Sequence, residues 1–204
     1  LTQRKKSTNF QKQNQLSDKN NLIALLPGSR KQEIKKMLPI FLKVSKVFPE
    51  FEFVLAGAPG IDPEWYQKFF GNEKVKIIQN KTYDLLLHSR AALVSSGTAT
   101  LETGLLMVPQ VVCYRSSFLT YLIAKWLVKL KFISLVNLIL DREVVKELIQ
   151  GAFNVVEVAH HLQYILSDKG QKKLKQDYEE LRIALGAGGA SKKTRQNFMR
   201  QGFL

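Results

Sequence analysis

Ser96-Gly97-Thr98-Ala99-Thr100-Leu101-Glu102 is the stretch that decides the fold class, because the apolar run Ala91 to Val94 leads into it and an apolar helical pattern leads out of it. A strand that ends in a turn of small residues and feeds a helix presents unpaired backbone N–H groups, and the positive end of the helix dipole, to an anion. Gly97 lets that anion approach the backbone closely. Glu102 lies one turn into the helix, where its carboxylate is placed to accept hydrogen bonds from the ribose hydroxyls of the same ligand. The segment points to a nucleoside diphosphate, although any strand, Gly-Thr turn and helix in an α/β protein shares the pattern.

A second turn of the same kind stands earlier in the chain. Leu22-Ile23-Ala24-Leu25-Leu26 is a short apolar run broken by Pro27-Gly28-Ser29-Arg30. Behind it, Ile34, Met37, Leu38, Phe41 and Leu42 recur at helical spacing, with Lys31, Lys35, Lys36, Lys43 and Lys46 largely on the other face. Arg30 differs from those solvated lysines. It sits at the carboxyl end of a strand, where open α/β sheets bind ligands, and its planar fork suits a pair of phosphate oxygens. Ser29, Arg30, Ser96, Gly97, Thr98 and Ala99 are therefore the candidate phosphate-binding residues, and Glu102 the ribose-binding one.

Apolar strand candidates occur at 22–26, 51–56, 75–78, 91–95 and 110–114, with helical patterns between most of them. That alternation predicts an α/β fold, a Rossmann-like parallel sheet with helices on both faces. Beyond residue 140 the pattern reads as helical, with helices at 154–167 and 170–185. We expect three segments: a flexible linker or poorly ordered lead-in over 1–20, a nucleotide-binding domain over 21–167, and a C-terminal helical tail over 168–204. In that tail Gly186 to Ser191 interrupts the chain before a last helix near 191–201.

The chain has 204 residues, 45% of them apolar, enough for one α/β core but not two. Its formal charge of +14 is spread along the sequence and shows no aromatic residues interleaved for base stacking, which argues against nucleic acid as a partner. From 118 to 131, Leu119, Leu122, Ile123, Trp126, Leu127 and Leu130 share one helical face beside Lys125 and Lys129. Such an amphipathic helix packs on a sheet or lies on a membrane surface, and its lysines break any run long enough to span. The single cysteine, Cys113, falls in an apparent buried strand, so it reads as a core residue of a protein from a reducing compartment. His88 follows the short Tyr83-to-Leu87 helix and the His160-His161 pair sits in a helical stretch; all three read as structural or surface residues, and neither a metal site nor a cofactor is indicated. Asp84 and Glu147 lack an acidic partner at a persuasive spacing and read as helix-face or capping residues.

Taken together, Leu25-Leu26-Pro27-Gly28-Ser29-Arg30 with Glu33-Ile34, then Ser96 to Glu102, then Pro109-Gln110-Val111-Val112-Cys113-Tyr114-Arg115 closely resemble lipid-A-disaccharide synthase in order and spacing. Ser134-Leu135-Val136-Asn137-Leu138-Ile139 and Glu143 to Gln150 continue the resemblance, which covers about residues 22 to 167. The resemblance implies an inverting glycosyltransferase of two Rossmann-like domains, the GT-B architecture, with this chain as the carboxyl-terminal half that holds the UDP end of the donor. The implied reaction moves 2,3-diacylglucosamine from UDP-2,3-diacylglucosamine to 2,3-diacylglucosamine 1-phosphate, forming a β-1,6 disaccharide and UDP. It further implies donor contacts at Asn137 and Gln150, and no catalytic residue in this chain, the general base belonging to an amino-terminal glycosyltransferase domain. A cytoplasmic protein associated peripherally with the inner face of the inner membrane is the implied setting. Val136 stands where the family has proline. A related UDP-GlcNAc-dependent GT-B enzyme, or a non-catalytic UDP-sugar-binding module acting with a partner, shares parts of the pattern.

Overall fold

The computed structural model describes residues 6–17, 21–71, 75–115 and 131–186. Its centre is a six-stranded, all-parallel sheet in the order β3-β2-β1-β4-β5-β6, made of Leu22–Leu26 (β1), Glu52–Gly57 (β2), Lys76–Gln79 (β3), Ser89–Ser95 (β4), Gln110–Tyr114 (β5) and Lys146–Ile149 (β6). The order reverses between β1 and β4, the switch point of a Rossmann-like sheet, where the loops leaving two adjacent strands diverge and open a crevice. Leu25 pairs with Leu55 on one side and Leu93 on the other, which brings the ends of β1 and β4 level.

The strands read as continuous apolar runs because helices cover both faces. Ile23 and Leu25 point into one core with Phe53, Leu55, Ala91 and Leu93; Leu22, Ala24 and Leu26 point into the other with Val54, Ala92 and Val94. The first face carries α2 (Lys31–Ser45), α3 (Pro63–Phe70), α7 (Val155–Leu166) and α8 (Asp168–Gly186). Ile34, Met37, Leu38, Phe41 and Leu42 are all buried there, as their spacing requires. The second face carries α4 (Thr82–His88) and the short α1 (Phe10–Gln13). Between β4 and β6 lie α5 (Thr98–Leu105) and α6 (Leu135–Leu140). In α8, Leu174, Tyr178 and Leu181 enter the same core as the sheet, and Arg142 pairs with Asp177 at 2.9 Å and Glu180 at 2.6 Å.

Two expectations are corrected. Lys146-Glu147-Leu148-Ile149, read as part of a helical region, is the sixth strand, with Cys113 paired to Leu148. Only Leu148 of the four is buried, so this short edge strand carries almost no apolar signature. The lead-in is also not a bare linker over residues 6–17. Phe10 is 2% exposed and stacks on His88 with ring centroids 4.8 Å apart, while Leu16 is buried in the same cluster. His88 ring nitrogens meet the carbonyls of Asp84 at 2.7 Å and Ser7 at 2.9 Å, a structural role. The amphipathic stretch at 118–130, the turn beyond 186 and the final helix lie outside the described residues.

Candidate functional site

A cleft of ≈ 500 Å³ opens at the switch point, within the range of small-ligand sites. Three strand ends build it: Gly28, Ser29 and Arg30 after β1, Ala58 and Pro59 after β2, and Ser96 to Ala99 after β4, with Glu102 on its wall. All of the candidate phosphate-binding residues and the ribose-binding candidate thus converge on one crevice. Smaller hollows, one beside β6 lined by Val145, His161 and Leu174, and one near Asn21 at the opposite end of the strands, share none of these residues.

Gly97 is the N-cap of α5 and has φ +149°, a conformation that L side chains rarely adopt. No side chain caps it. The backbone N–H of Thr100 donates to the Gly97 carbonyl at 3.1 Å and its hydroxyl donates to the same oxygen at 2.8 Å, so Thr100 spends its donors inside the turn. Thr98 and Ala99, which line the cleft, hold the first two positions of α5, where an N–H has no carbonyl partner within the helix. Ser96 anchors the turn from below, donating its N–H to Cys113 at 3.0 Å and its hydroxyl to Ile133 at 3.1 Å. Cys113 is buried and burial pushes its thiol well up, so it is a core thiol and not a nucleophile.

Across the crevice, Gly28 has φ +111°, and a Cβ there would lie 2.6 Å from Oε2 of Glu33. The tight turn folds Glu33 back against the loop, where its Oε1 accepts from Arg30 at 3.2 Å. The Arg30 side chain is 82% exposed, and so exposed a pair is weak enough for the guanidinium to exchange its partner for a phosphate. Glu102 is half-buried and accepts a hydrogen bond from the Tyr83 hydroxyl at 3.0 Å. Glu33, Tyr83 and the Gly57-to-Pro59 turn belong to this site or its support although their residue types alone assign them no role there.

Asn137 and Gln150 are not in the lining of the cleft. Asn137 is fully buried, and its amide donates to the Val145 carbonyl and to Glu147 Oε1, both at 2.8 Å, while its oxygen accepts from the N–H groups of Val144 at 2.8 Å and Val145 at 2.9 Å. With these four hydrogen bonds the side chain holds the loop between α6 and β6. Val136 is buried in the core. Glu147 is a strand residue, and its carboxylate accepts from the N–H groups of Ile133 at 2.8 Å and Ser134 at 2.9 Å, capping α6 from a neighbouring strand. Gln150 turns the chain at the end of β6 with φ +51°, its carbonyl accepting from Arg115 at 3.4 Å. Among the described residues no group of histidine, cysteine and carboxylate side chains is arranged to hold a metal.

The family model described as lipid-A-disaccharide synthetase matches residues 1–200. The chain belongs to that family. Within it, the lipid-A-disaccharide synthase of Syntrophus aciditrophicus is 38% identical over 179 residues, covering 84% of this chain and 47% of its own length. That of Psychromonas ingrahamii is 40% identical over 153 residues, covering 71% and 40%. The chain spans about half the length of these curated relatives. Two solved structures share the fold at low identity. S. aureus TarM, bound to UDP among other ligands, has a TM-score of 0.55 at 12% identity and covers 88% of this chain with 34% of its own. The glycosyltransferase of kitacinnamycin has 0.53 at 15%, covering 89% and 44%. The lipid-A-disaccharide synthetase chain therefore has the fold of a Rossmann-like half of a GT-B glycosyltransferase.

Proposed function

We propose that this chain is the donor-binding half of a lipid-A-disaccharide synthase, and that its cleft holds the UDP end of UDP-2,3-diacylglucosamine. The observation that carries the reading is the convergence of two phosphate-type turns and Glu102 on one crevice at the β1/β4 switch point. In the reaction, the 6-hydroxyl of 2,3-diacylglucosamine 1-phosphate attacks the anomeric carbon of the donor as its bond to the UDP oxygen breaks. Negative charge then grows on the diphosphate. The Thr98 and Ala99 N–H groups and the Arg30 guanidinium are the donors that meet it, and they accelerate the step to the extent that they bind the departing diphosphate more tightly than the bound substrate. Glu102 holds the ribose. The proton of the attacking hydroxyl goes to a general base on the amino-terminal domain, and the product is the inverted, β-1,6-linked disaccharide.

The acylated substrates place this chemistry at a membrane surface, on the cytoplasmic face of the inner membrane, and the basic charge of the chain suits anionic headgroups there. No helix among the described residues is long and apolar enough to cross a membrane. The test is calorimetric titration of UDP into the folded chain, with Arg30→Ala and Glu102→Gln alongside. Saturable binding weakened about tenfold, or roughly 1.4 kcal/mol, by each substitution is the expected result. A folded wild-type chain that binds no UDP contradicts the reading.

A further inference from the structure

The ribose-binding carboxylate does not stand alone. Glu102 stands one turn into α5, and the hydroxyl that reaches its Oε1 at 3.0 Å comes from Tyr83, on a different helix that starts beside the same cleft at Thr82. The Tyr83 ring packs on the apolar cluster beneath the sheet with Leu87 and Ala99, so the phenol is held by the core while its oxygen points up to the carboxylate. A glutamate has three rotatable bonds, and on the half-exposed wall of a cleft it samples many orientations when nothing holds it. We infer that Tyr83 is a positioning residue for donor recognition: by fixing one carboxylate oxygen of Glu102 it aims the group at the ribose diol, and so sets the preference of the site for ribonucleotides over 2′-deoxyribonucleotides.

This inference rests on the donor-binding reading above. The phenol donates to Oε1 through one lone pair, which leaves the second lone pair of that oxygen and both of Oε2 for the two hydroxyls of a ribose. The orientational cost of ordering Glu102 is met before the ligand arrives, and that is the part of the affinity a deoxy ligand cannot fully use. Removing only the hydroxyl leaves the ring in its cluster, so the fold is spared while the carboxylate is released.

The experiment titrates UDP and 2′-deoxy-UDP into the wild-type chain, Tyr83→Phe, Glu102→Gln and the double variant, with thermal melting to confirm folding. The wild type prefers UDP. Tyr83→Phe weakens UDP binding about fivefold and 2′-deoxy-UDP binding less than about twofold, so the preference collapses towards that of Glu102→Gln. The double variant loses little more than Glu102→Gln alone, because both substitutions remove one unit of recognition. A purely structural role for Tyr83 weakens both nucleotides equally or lowers the melting temperature alone, and either result overturns the inference, as does an unchanged preference in Tyr83→Phe. If the wild type binds UDP and 2′-deoxy-UDP equally well, the positioning role falls while the diphosphate site stands. If it binds neither, the donor reading itself falls.

Discussion

Asn137→Ala separates two roles that one residue type permits, a ligand contact and a structural clasp. The side chain is fully buried and makes four hydrogen bonds, two as donor and two as acceptor. Alanine orphans the N–H groups of Val144 and Val145 in the interior, and it strips one donor from Glu147 and one from the Val145 carbonyl. An unsatisfied buried polar group costs roughly 1–3 kcal/mol, so the two orphaned N–H groups and the weakened carboxylate together cost about 3–5 kcal/mol. For a domain of this size that is a fall in melting temperature of about 10 °C. Differential scanning calorimetry reads it directly. Asn137→Asp keeps the acceptor but sets a second carboxylate against Glu147 where the amide donated, so its destabilisation shrinks as pH falls and one of the two acids protonates. An Asn137→Ala chain that melts within about 2 °C of wild type yet has lost UDP binding refutes the structural assignment and returns the residue to the donor site.

Three further outcomes follow from the geometry. Gly97→Ala puts a side chain at φ +149°, where there is open space around the added carbon but backbone strain of about 1–3 kcal/mol; UDP binding weakens because the phosphate turn shifts, and calorimetric titration against the melting curve shows both effects. Phe10→Ala removes a ring that is 2% exposed and stacked on His88, costing about 3 kcal/mol, and residues 6–17 become the first site cut in limited proteolysis; unchanged cleavage contradicts their packing. His161 is held below its usual value of 6.5 by burial and then by Lys146, so the unfolded chain binds its proton more readily. Its share of stability is complete above pH 6.5 and is lost as pH falls through the lower folded value, and His161→Gln flattens that part of a stability-versus-pH curve.

The parts of this fold that could be read in advance are those where the physics is local. A strand buried on both faces is a continuous apolar run, and β1, β2, β4 and β5 were visible for that reason. The two turns that meet at the cleft are legible because each is an apolar run broken by a glycine, and both Gly28 and Gly97 take positive φ. The edge strand β6 was hidden because an outer strand with one buried residue is indistinguishable in pattern from a charged helix face. Phe10 and Leu16 are two apolar residues among many polar ones, and only the hollow beside His88 and Leu85 gives them a destination. Asn137 and Glu147 are ten positions apart, and no periodicity announces that their side chains meet. The same is true of Tyr83 and Glu102, which meet only when α4 and α5, the helices before and after β4, come together in the fold.

The central claim is that the β1/β4 crevice receives the diphosphate, and the most direct measurement is a crystal structure of the chain soaked or co-crystallised with UDP. The account predicts phosphate oxygens within hydrogen-bonding distance of the Thr98 and Ala99 N–H groups, with Arg30 turned from Glu33 towards them and the ribose hydroxyls on Glu102. UDP bound in the hollow beside β6, or in the crevice with its diphosphate away from Gly97 and its ribose away from Glu102, contradicts it.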